Sequence, residues 1–175
     1  LGEDETAWVT IRQLERLLEI QILLTNKSSH FSVSHPGLSI EEMTQEQLLV
    51  LNTYTEEQTI ITEDIDLFLR DLKKNTQALT AVSDPKAAGY ETAGTLATSS
   101  NPGQLSFGIS NDIAAGRLQT AIRNQGLLIK SLQSIHNALT GSNDINTKDL
   151  VRKLARIEES ILHLIAAQKD EIESI

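Results

Sequence analysis

The last segment of the chain repeats large aliphatic residues at alternating spacings of four and three. This alternation is typical of a coiled-coil seam, which needs a partner helix to cover it. The step from Ile161 to Ile165 adds a further spacing of four, a stutter that locally unwinds a supercoil. Isoleucine at both kinds of core position favours three or four strands over two. We predict that this seam, called the C-terminal seam below, consists of Leu150, Leu154, Ile157, Ile161, Ile165, Gln168 and Ile172.

A second long pattern covers residues 39–82, which contain neither proline nor glycine. Ser39 followed by Glu42 fits a capping box, in which each side chain accepts a backbone donor of the first helical turn. One helix of this length exceeds the usual globular helix. The pattern therefore leaves two alternatives open, which are one long arm or a break or kink near the Thr-rich stretch 52–55, and we favour the break.

A third helix is predicted from about Asn111 to Thr140, with Gly141 as its stop. Together with the last segment it makes residues 111–175 a helical hairpin or a coiled-coil oligomerisation region. The second and third helices each repeat apolar residues at heptad spacing. These positions form a second predicted seam, with Ile61, Ile65, Phe68, Leu72, Leu128, Leu132 and Ile135 as its members.

The first segment, residues 1–38, combines a helix with a polar loop. Three carboxylates at residues 3–5 lie where the helix dipole favours negative charge, and apolar residues recur at helical spacing from Trp8 to about Leu24. The polar residues that follow, which close in a His-Pro-Gly sequence, predict a loop over 25–37.

Residues 83–110 show the clearest change in composition, with two of the three prolines and four of the nine glycines. This composition predicts a flexible linker, a functional loop or a partly disordered segment. Such a connection would let the helical halves fold back as a hairpin or exchange between chains.

Aromatic residues make up only 3% of the chain. Compact cores usually draw much of their buried area from aromatic side chains, so this composition favours narrow helix-on-helix seams. The predicted fold class is therefore all-α, an elongated arrangement of helical hairpins or a bundle with a C-terminal coiled coil.

The formal net charge of -9 is unevenly distributed, since residues 1–82 carry 14 acidic and 6 basic side chains. That half should repel nucleic acid and anionic membranes. The chain has no cysteine, and no apolar run approaches the ~20 residues of a membrane-spanning helix. We expect a soluble protein without a signal peptide or membrane span, and the composition favours the cytoplasm without deciding it.

Candidate catalytic chemistry is sparse in the sequence. No two of the four histidines have the i, i+4 spacing of a helical metal site. Gly103 and Gly108 have the spacing of a phosphate loop, but Ile109 stands where that loop needs lysine. The carboxylates of residues 63–66 diverge around a helix. We predict no catalytic, metal-binding or cofactor-binding residues, and no cofactor.

Basic residues open the last segment and acidic residues fill its second half. This segregation favours antiparallel helix pairing over contact with nucleic acid. The basic residues are Lys148, Arg152, Lys153 and Arg156.

Amide side chains occupy four positions where Leu or Ile would stabilise a core more. Buried amides at such sites commonly fix register and oligomer state at a cost in stability. The alternative is that these layers are hydrated, or that the helix has turned away there. The four residues are Gln58, Asn75, Gln125 and Gln168.

These patterns predict a non-enzymatic structural or assembly protein that associates with itself through helical seams. A homo-oligomer of three or four chains is favoured, such as a viral or other assembly component. The second hypothesis is a helical adaptor whose acidic N-terminal half binds a basic protein partner.

Overall fold

The computed structural model describes residues 3–141 together with Arg152, Arg156 and Glu159. In this part of the chain every regular element is helical, which confirms the all-α prediction. Arg152, Arg156 and Glu159 are helical as well. The elements are α1 (Glu3–Ser34), a 3-10 turn (Ile40–Glu42), α2 (Gln45–Ala81), α3 (Ala87–Ser100), α4 (Pro102–Ala114) and α5 (Leu118–Thr140).

Helix α1 continues to Ser34, so most of the loop predicted over 25–37 is corrected to helix. The hydroxyls of Thr25 and Ser28 donate to the carbonyl oxygens four residues earlier, at 2.8 and 2.9 Å. Because these small polar side chains are satisfied within the helix, they can be buried against neighbouring helices. Packing therefore outweighs the loop-like composition. The helix ends before Gly37, which has a φ of +68°.

Helix α2 is one unbroken element through 52–55, so the favoured break is wrong and the long arm is correct. Its start lies later than predicted because the effective capping box is at Thr44. The Thr44 amide donates to Gln47 Oε1 (2.8 Å), and the Gln47 amide donates to Thr44 Oγ1 (3.2 Å). The predicted box at Ser39 caps only the 3-10 turn, where the Ser39 amide donates to Glu42 Oε2 (3.3 Å).

The structure has helices α3 and α4 where the composition predicts a linker over 83–110. Pro102 is the first residue of α4, where its missing N–H costs nothing. A Cβ on Gly89 would lie 2.6 Å from the Ala138 carbonyl oxygen. Glycine and proline in this stretch therefore start a helix and allow two helices to approach closely, instead of loosening the chain.

The third helix starts at Leu118 instead of Asn111, because a turn separates α4 from α5. Gly116 lies at that turn with a φ of +75°, and a Cβ there would lie 2.8 Å from Ile40 Cγ1. Two features therefore favour glycine at this position, the positive φ and the close approach of Ile40. Helix α5 stops at Gly141 as predicted, with a φ of +78°.

The helices pack side by side as an antiparallel bundle with four sides, which we call walls. Helices α1, α2 and α5 each form one wall, and α3 and α4 together form the third wall in chain order. Contacts join α1 with α2, α2 with α3 and α4, these two with α5, and α5 with α1. Neighbouring walls run in opposite directions, because their hydrogen-bonded residue numbers change in opposite senses. The pairs are Thr10–Asn75 and Gln21–Gln58 for α1 and α2, Thr80–Glu91 and Thr62–Ser106 for α2 with α3 and α4, and Glu15–His136 and Ser32–Gln119 for α1 and α5.

The core lies along the axis between these walls and is mainly aliphatic. Tyr90 and Phe68 are its largest fully buried side chains. The Tyr90 hydroxyl crosses the bundle to donate to the Ala7 carbonyl oxygen of α1 at 3.2 Å. One chain thus encloses a continuous core across residues 7–139.

Candidate functional site

The second predicted seam lies inside the bundle formed by one chain. Its members are all between 0% and 2% exposed, so their side chains pack against helices of their own chain. The residues are Ile61, Ile65, Phe68 and Leu72 on α2, with Leu128, Leu132 and Ile135 on α5.

The C-terminal seam lies outside the described residues. Within its span the structure describes Arg152, Arg156 and Glu159, which are helical and exposed. Among the polar core candidates, Gln168 also lies outside the described residues.

A buried layer of amide and hydroxyl groups crosses the middle of the bundle. Gln58 and Gln125, both predicted core amides, are 0% exposed and lie at its centre. Gln58 Nε2 donates to Gln21 Oε1 (2.7 Å) and to Ser106 Oγ (2.9 Å). Gln58 Oε1 accepts from Gln21 Nε2 and from Gln125 Nε2, each at 3.2 Å. The layer thus joins all four walls through one side chain.

Two further groups complete this polar layer. Ser106 Oγ lies 2.7 Å from Thr62 Oγ1, and Gln125 Nε2 donates to Ser28 Oγ at 3.3 Å. The side-chain oxygen of Gln125, Oε1, is buried and has no hydrogen-bond partner among the residues that the structure describes. A helix that slid along the bundle axis would leave several of these buried polar groups unpaired. The layer therefore fixes the position of each helix along that axis.

Asn75, the other predicted core amide, lies nearer the edge of the core. It is partly exposed, and its Nδ2 donates to Thr10 Oγ1 at 2.6 Å. This contact ties α1 to α2 but takes no part in the central layer.

A buried pair of ionisable side chains joins α1 to α5. His136 Nε2 lies 3.2 Å from Glu15 Oε1, and Arg12 Nη1 lies 2.8 Å from Glu15 Oε2. His136 is 0% exposed and Glu15 6% exposed. His136 Nε2 donates in this contact when the ring proton lies on that nitrogen. Its burial denies a substrate access to either group, so the pair is an internal tie between helices.

Burial also changes the ionisation of two tyrosines. Desolvation raises the pKa of Tyr90, although a hydrogen bond with Thr10 partly opposes it, and nearby Asp84 raises it further. Desolvation likewise raises the pKa of Tyr54, where Lys27 lowers it and Glu57 raises it. Both phenols are therefore neutral at physiological pH.

Gly103, from the possible phosphate loop, and Glu63, from the carboxylate group of residues 63–66, lie on different helices. Gly103 is buried in α4, where a Cβ would lie 2.7 Å from Asp66 Oδ1, so it serves helix packing. Glu63 is exposed on the far side of α2 from its buried residues. Within residues 3–141 and the three further described positions, no group of three metal-ligating side chains comes together.

An open cleft of about 960 Å³ runs between α2 and α3. Helix α3 contributes the small residues Gly94 and Ala97 to its lining. Lys73 and Glu91 are the charged residues of its rim. The lining is otherwise aliphatic, hydroxyl and amide, which provides no acid–base pair or nucleophile with a partner.

The outward face of α2 carries three large aliphatic side chains. Leu49, Ile60 and Leu67 are 66%, 56% and 46% exposed. Their spacings of 11 and 7 residues place them within about 20° of one another around the helix. They form one row, about 27 Å long, on the side opposite the core. This row was not predicted, although its spacing was readable in the sequence.

Carboxylates border this aliphatic row. Between Leu49 and Leu67 the chain has five acidic residues and no lysine or arginine. Helical spacing places Glu56 in line with the row, between Leu49 and Ile60, whereas Glu63 lies on one side of the row and Asp64 on the other. In the described part of the chain neither Glu56 nor Glu63 has an ion-pair partner. The acidic face of α2, as we call this surface, therefore combines apolar area with uncompensated negative charge.

No family model, curated protein or solved structure matches the chain. None of the described helices is long and apolar enough to cross a membrane.

Proposed function

We propose that the protein is a non-enzymatic assembly component, in which a helical bundle is the body and the C-terminal seam joins three or four copies. The observation that supports this proposal most is the exposure of Arg152, Arg156 and Glu159. Their spacing of four and three matches the spacing of the seam residues, and they lie between them in the sequence. Polar residues on the exposed side of a helix are what a seam on its other side requires.

The closed core of the bundle also supports separate roles for the bundle, which is the body, and for the C-terminal seam, which joins the copies. Because the second predicted seam is covered within one chain, it needs no second copy to bury it. Association between copies then falls to surfaces outside this core, of which the C-terminal seam has the clearest heptad pattern. The polar layer around Gln58 would keep each body in one register while copies assemble.

The test is the oligomeric state of the full chain carrying Ile157→Asp and Ile161→Asp. We expect sedimentation velocity to show an oligomer for the wild type and a monomer for this variant, because each change buries an unpaired charge in the seam. The helical content of the bundle should be retained by circular dichroism. Arg152→Asp, which introduces the same residue on the exposed side, is the matched control and should still assemble. A wild-type chain that is monomeric at micromolar concentration rules out the proposal.

We propose a second function, that of an adaptor for a basic protein partner, because the acidic face of α2 favours it specifically. A row of exposed aliphatic side chains is a common feature of helix–helix recognition, and the bordering carboxylates select for cations. The two functions are compatible, since the bundle and the C-terminal seam use different residues. Binding that weakens steeply with added salt would support the adaptor function.

A further inference from the structure

We infer that the acidic face of α2 binds an amphipathic helix of another protein, one whose aliphatic row is bordered by lysine and arginine. This inference rests on the proposed adaptor function and names its surface and the form of its partner. The surface consists of Leu49, Ile60 and Leu67 with the carboxylates of Glu56, Glu63 and Asp64.

The shape of the surface fits a helix. A row of three aliphatic side chains on one continuous helix, about 27 Å long, matches five turns of a partner helix laid along it. Residues 45–81 form one continuous helix, so this row is held at fixed spacing. A helix that places an aliphatic residue about every turn would cover Leu49, Ile60 and Leu67 together.

The charge of the surface decides which helix can bind. Two acidic faces of α2 brought together in a homotypic pair would oppose carboxylates to carboxylates, which is unfavourable. A partner with lysine or arginine beside its apolar row instead meets Glu63 on one side and Asp64 on the other, and its cations can also reach Glu56 between Leu49 and Ile60. Cationic side chains also cover aliphatic area with their methylene stems.

The C-terminal segment of this protein is a poor match for the same surface. In a helical arrangement Arg152 and Arg156 fall about 170° and about 130° from the centre of the C-terminal seam. Lys153 and Glu158 border that seam from opposite sides, so their charges cancel. The C-terminal segment of a second copy can turn either its aliphatic residues or most of its cations toward the acidic face of α2. It cannot turn both, because in that arrangement they lie on different sides of the helix. This segment of a second copy is therefore not the helix that the surface fits.

The probe is a synthetic leucine–lysine peptide of about 20 residues, long enough to hold a helix, with leucines in one row and lysines beside it. A leucine–glutamate peptide of the same pattern is the control ligand. Binding to the full-length protein is measured by fluorescence anisotropy. The wild type should bind the leucine–lysine peptide and not the leucine–glutamate peptide.

Three variants locate the binding surface. Leu49→Ser/Ile60→Ser/Leu67→Ser should weaken binding at least about tenfold, because it removes the aliphatic row. Glu56→Gln/Glu63→Gln should reduce the dependence of affinity on salt, since two screened charge contacts are lost. Leu127→Ser is the matched control, because Leu127 is an exposed leucine (51%) on α5, and should leave the affinity unchanged.

The results distinguish a wrong binding surface from a wrong adaptor function. If the wild type binds the leucine–lysine peptide but the triple serine variant binds it equally well, the surface is wrong while the adaptor function stands. If the wild type binds neither peptide, the surface and the adaptor function both fail. If the triple serine variant instead becomes monomeric while the wild type is an oligomer, the face serves contacts between copies, which overturns the inference.

Discussion

The two faces of α2 use the same kinds of side chain for opposite purposes. Ile61 and Ile65 on the inner face are 1% and 0% exposed, whereas Ile60, their neighbour in sequence, is 56% exposed on the outer face. The inner face meets the other three walls of the bundle. The outer face meets no other helix among the described residues, and carboxylates border it. The burial of an aliphatic residue is thus decided by its angular position around the helix.

This contrast separates stability from recognition within one element. A helix that faces the core on one side and solvent on the other normally carries polar residues outside. An aliphatic row on the solvent side adds little to folding of the single chain. The partner proposed above would give this row a role that folding does not.

The largest expected effect is a difference between the same substitution on the two faces. Ile65→Ala should lower the free energy of unfolding by about 4 kcal/mol, because it leaves a cavity at a fully buried site. Ile60→Ala should change it by less than about 0.5 kcal/mol, as expected at a surface position. Urea unfolding followed by circular dichroism measures both. Equal losses in the two variants would mean that the outer face is part of the folded core.

The next largest effect concerns the polar centre of the inner face. Gln58→Ala should lower the free energy of unfolding by about 2–3 kcal/mol, because the amides of Gln21 and Gln125 lose a buried partner. Gln77→Ala, on an exposed part of the same helix, is the control and should be nearly neutral. A neutral Gln58→Ala variant would show that the layer contributes register without stability.

The smallest effect concerns pH and the buried phenol of Tyr90. Its folded-state pKa is raised above the ordinary value of about 10, so ionisation favours the unfolded chain. The contribution of Tyr90 is therefore complete below about pH 10 and is lost as the pH rises through the folded-state pKa. Tyr90→Phe should unfold less steeply with rising alkaline pH than the wild type. Identical pH profiles would assign the alkaline loss to other groups.

Much of the helical architecture was predictable from periodicity, and the errors have a common physical cause. The spacing of Ile61, Ile65, Phe68 and Leu72 identifies one side of α2, and Gly141 identifies the end of α5. The polar run near Ser28 and the glycines near Gly89 were misjudged, because their role depends on close contacts with distant helices. Residue composition reports local preference, whereas these segments are helical through tertiary packing.

The candidate sites divide in the same way. Gln58 and Gln125 stand out in sequence as amides at apolar positions, but their contacts with Gln21 and Ser106 depend on the arrangement of four walls. Pairing of Glu15 with His136 joins residues far apart in the chain and leaves no local signal. The outer row of α2 could have been predicted, because spacings of 11 and 7 residues return to one side of a helix.

The separation of the two faces of α2 is tested most directly by methyl NMR of the full chain during titration with the leucine–lysine peptide. We predict that the methyl signals of Leu49, Ile60 and Leu67 shift as the peptide binds, while those of Ile61 and Ile65 stay in place. Peptide binding that shifts the inner-face methyls, or that leaves the three outer methyls unchanged, would contradict the assignment of recognition to the outer face.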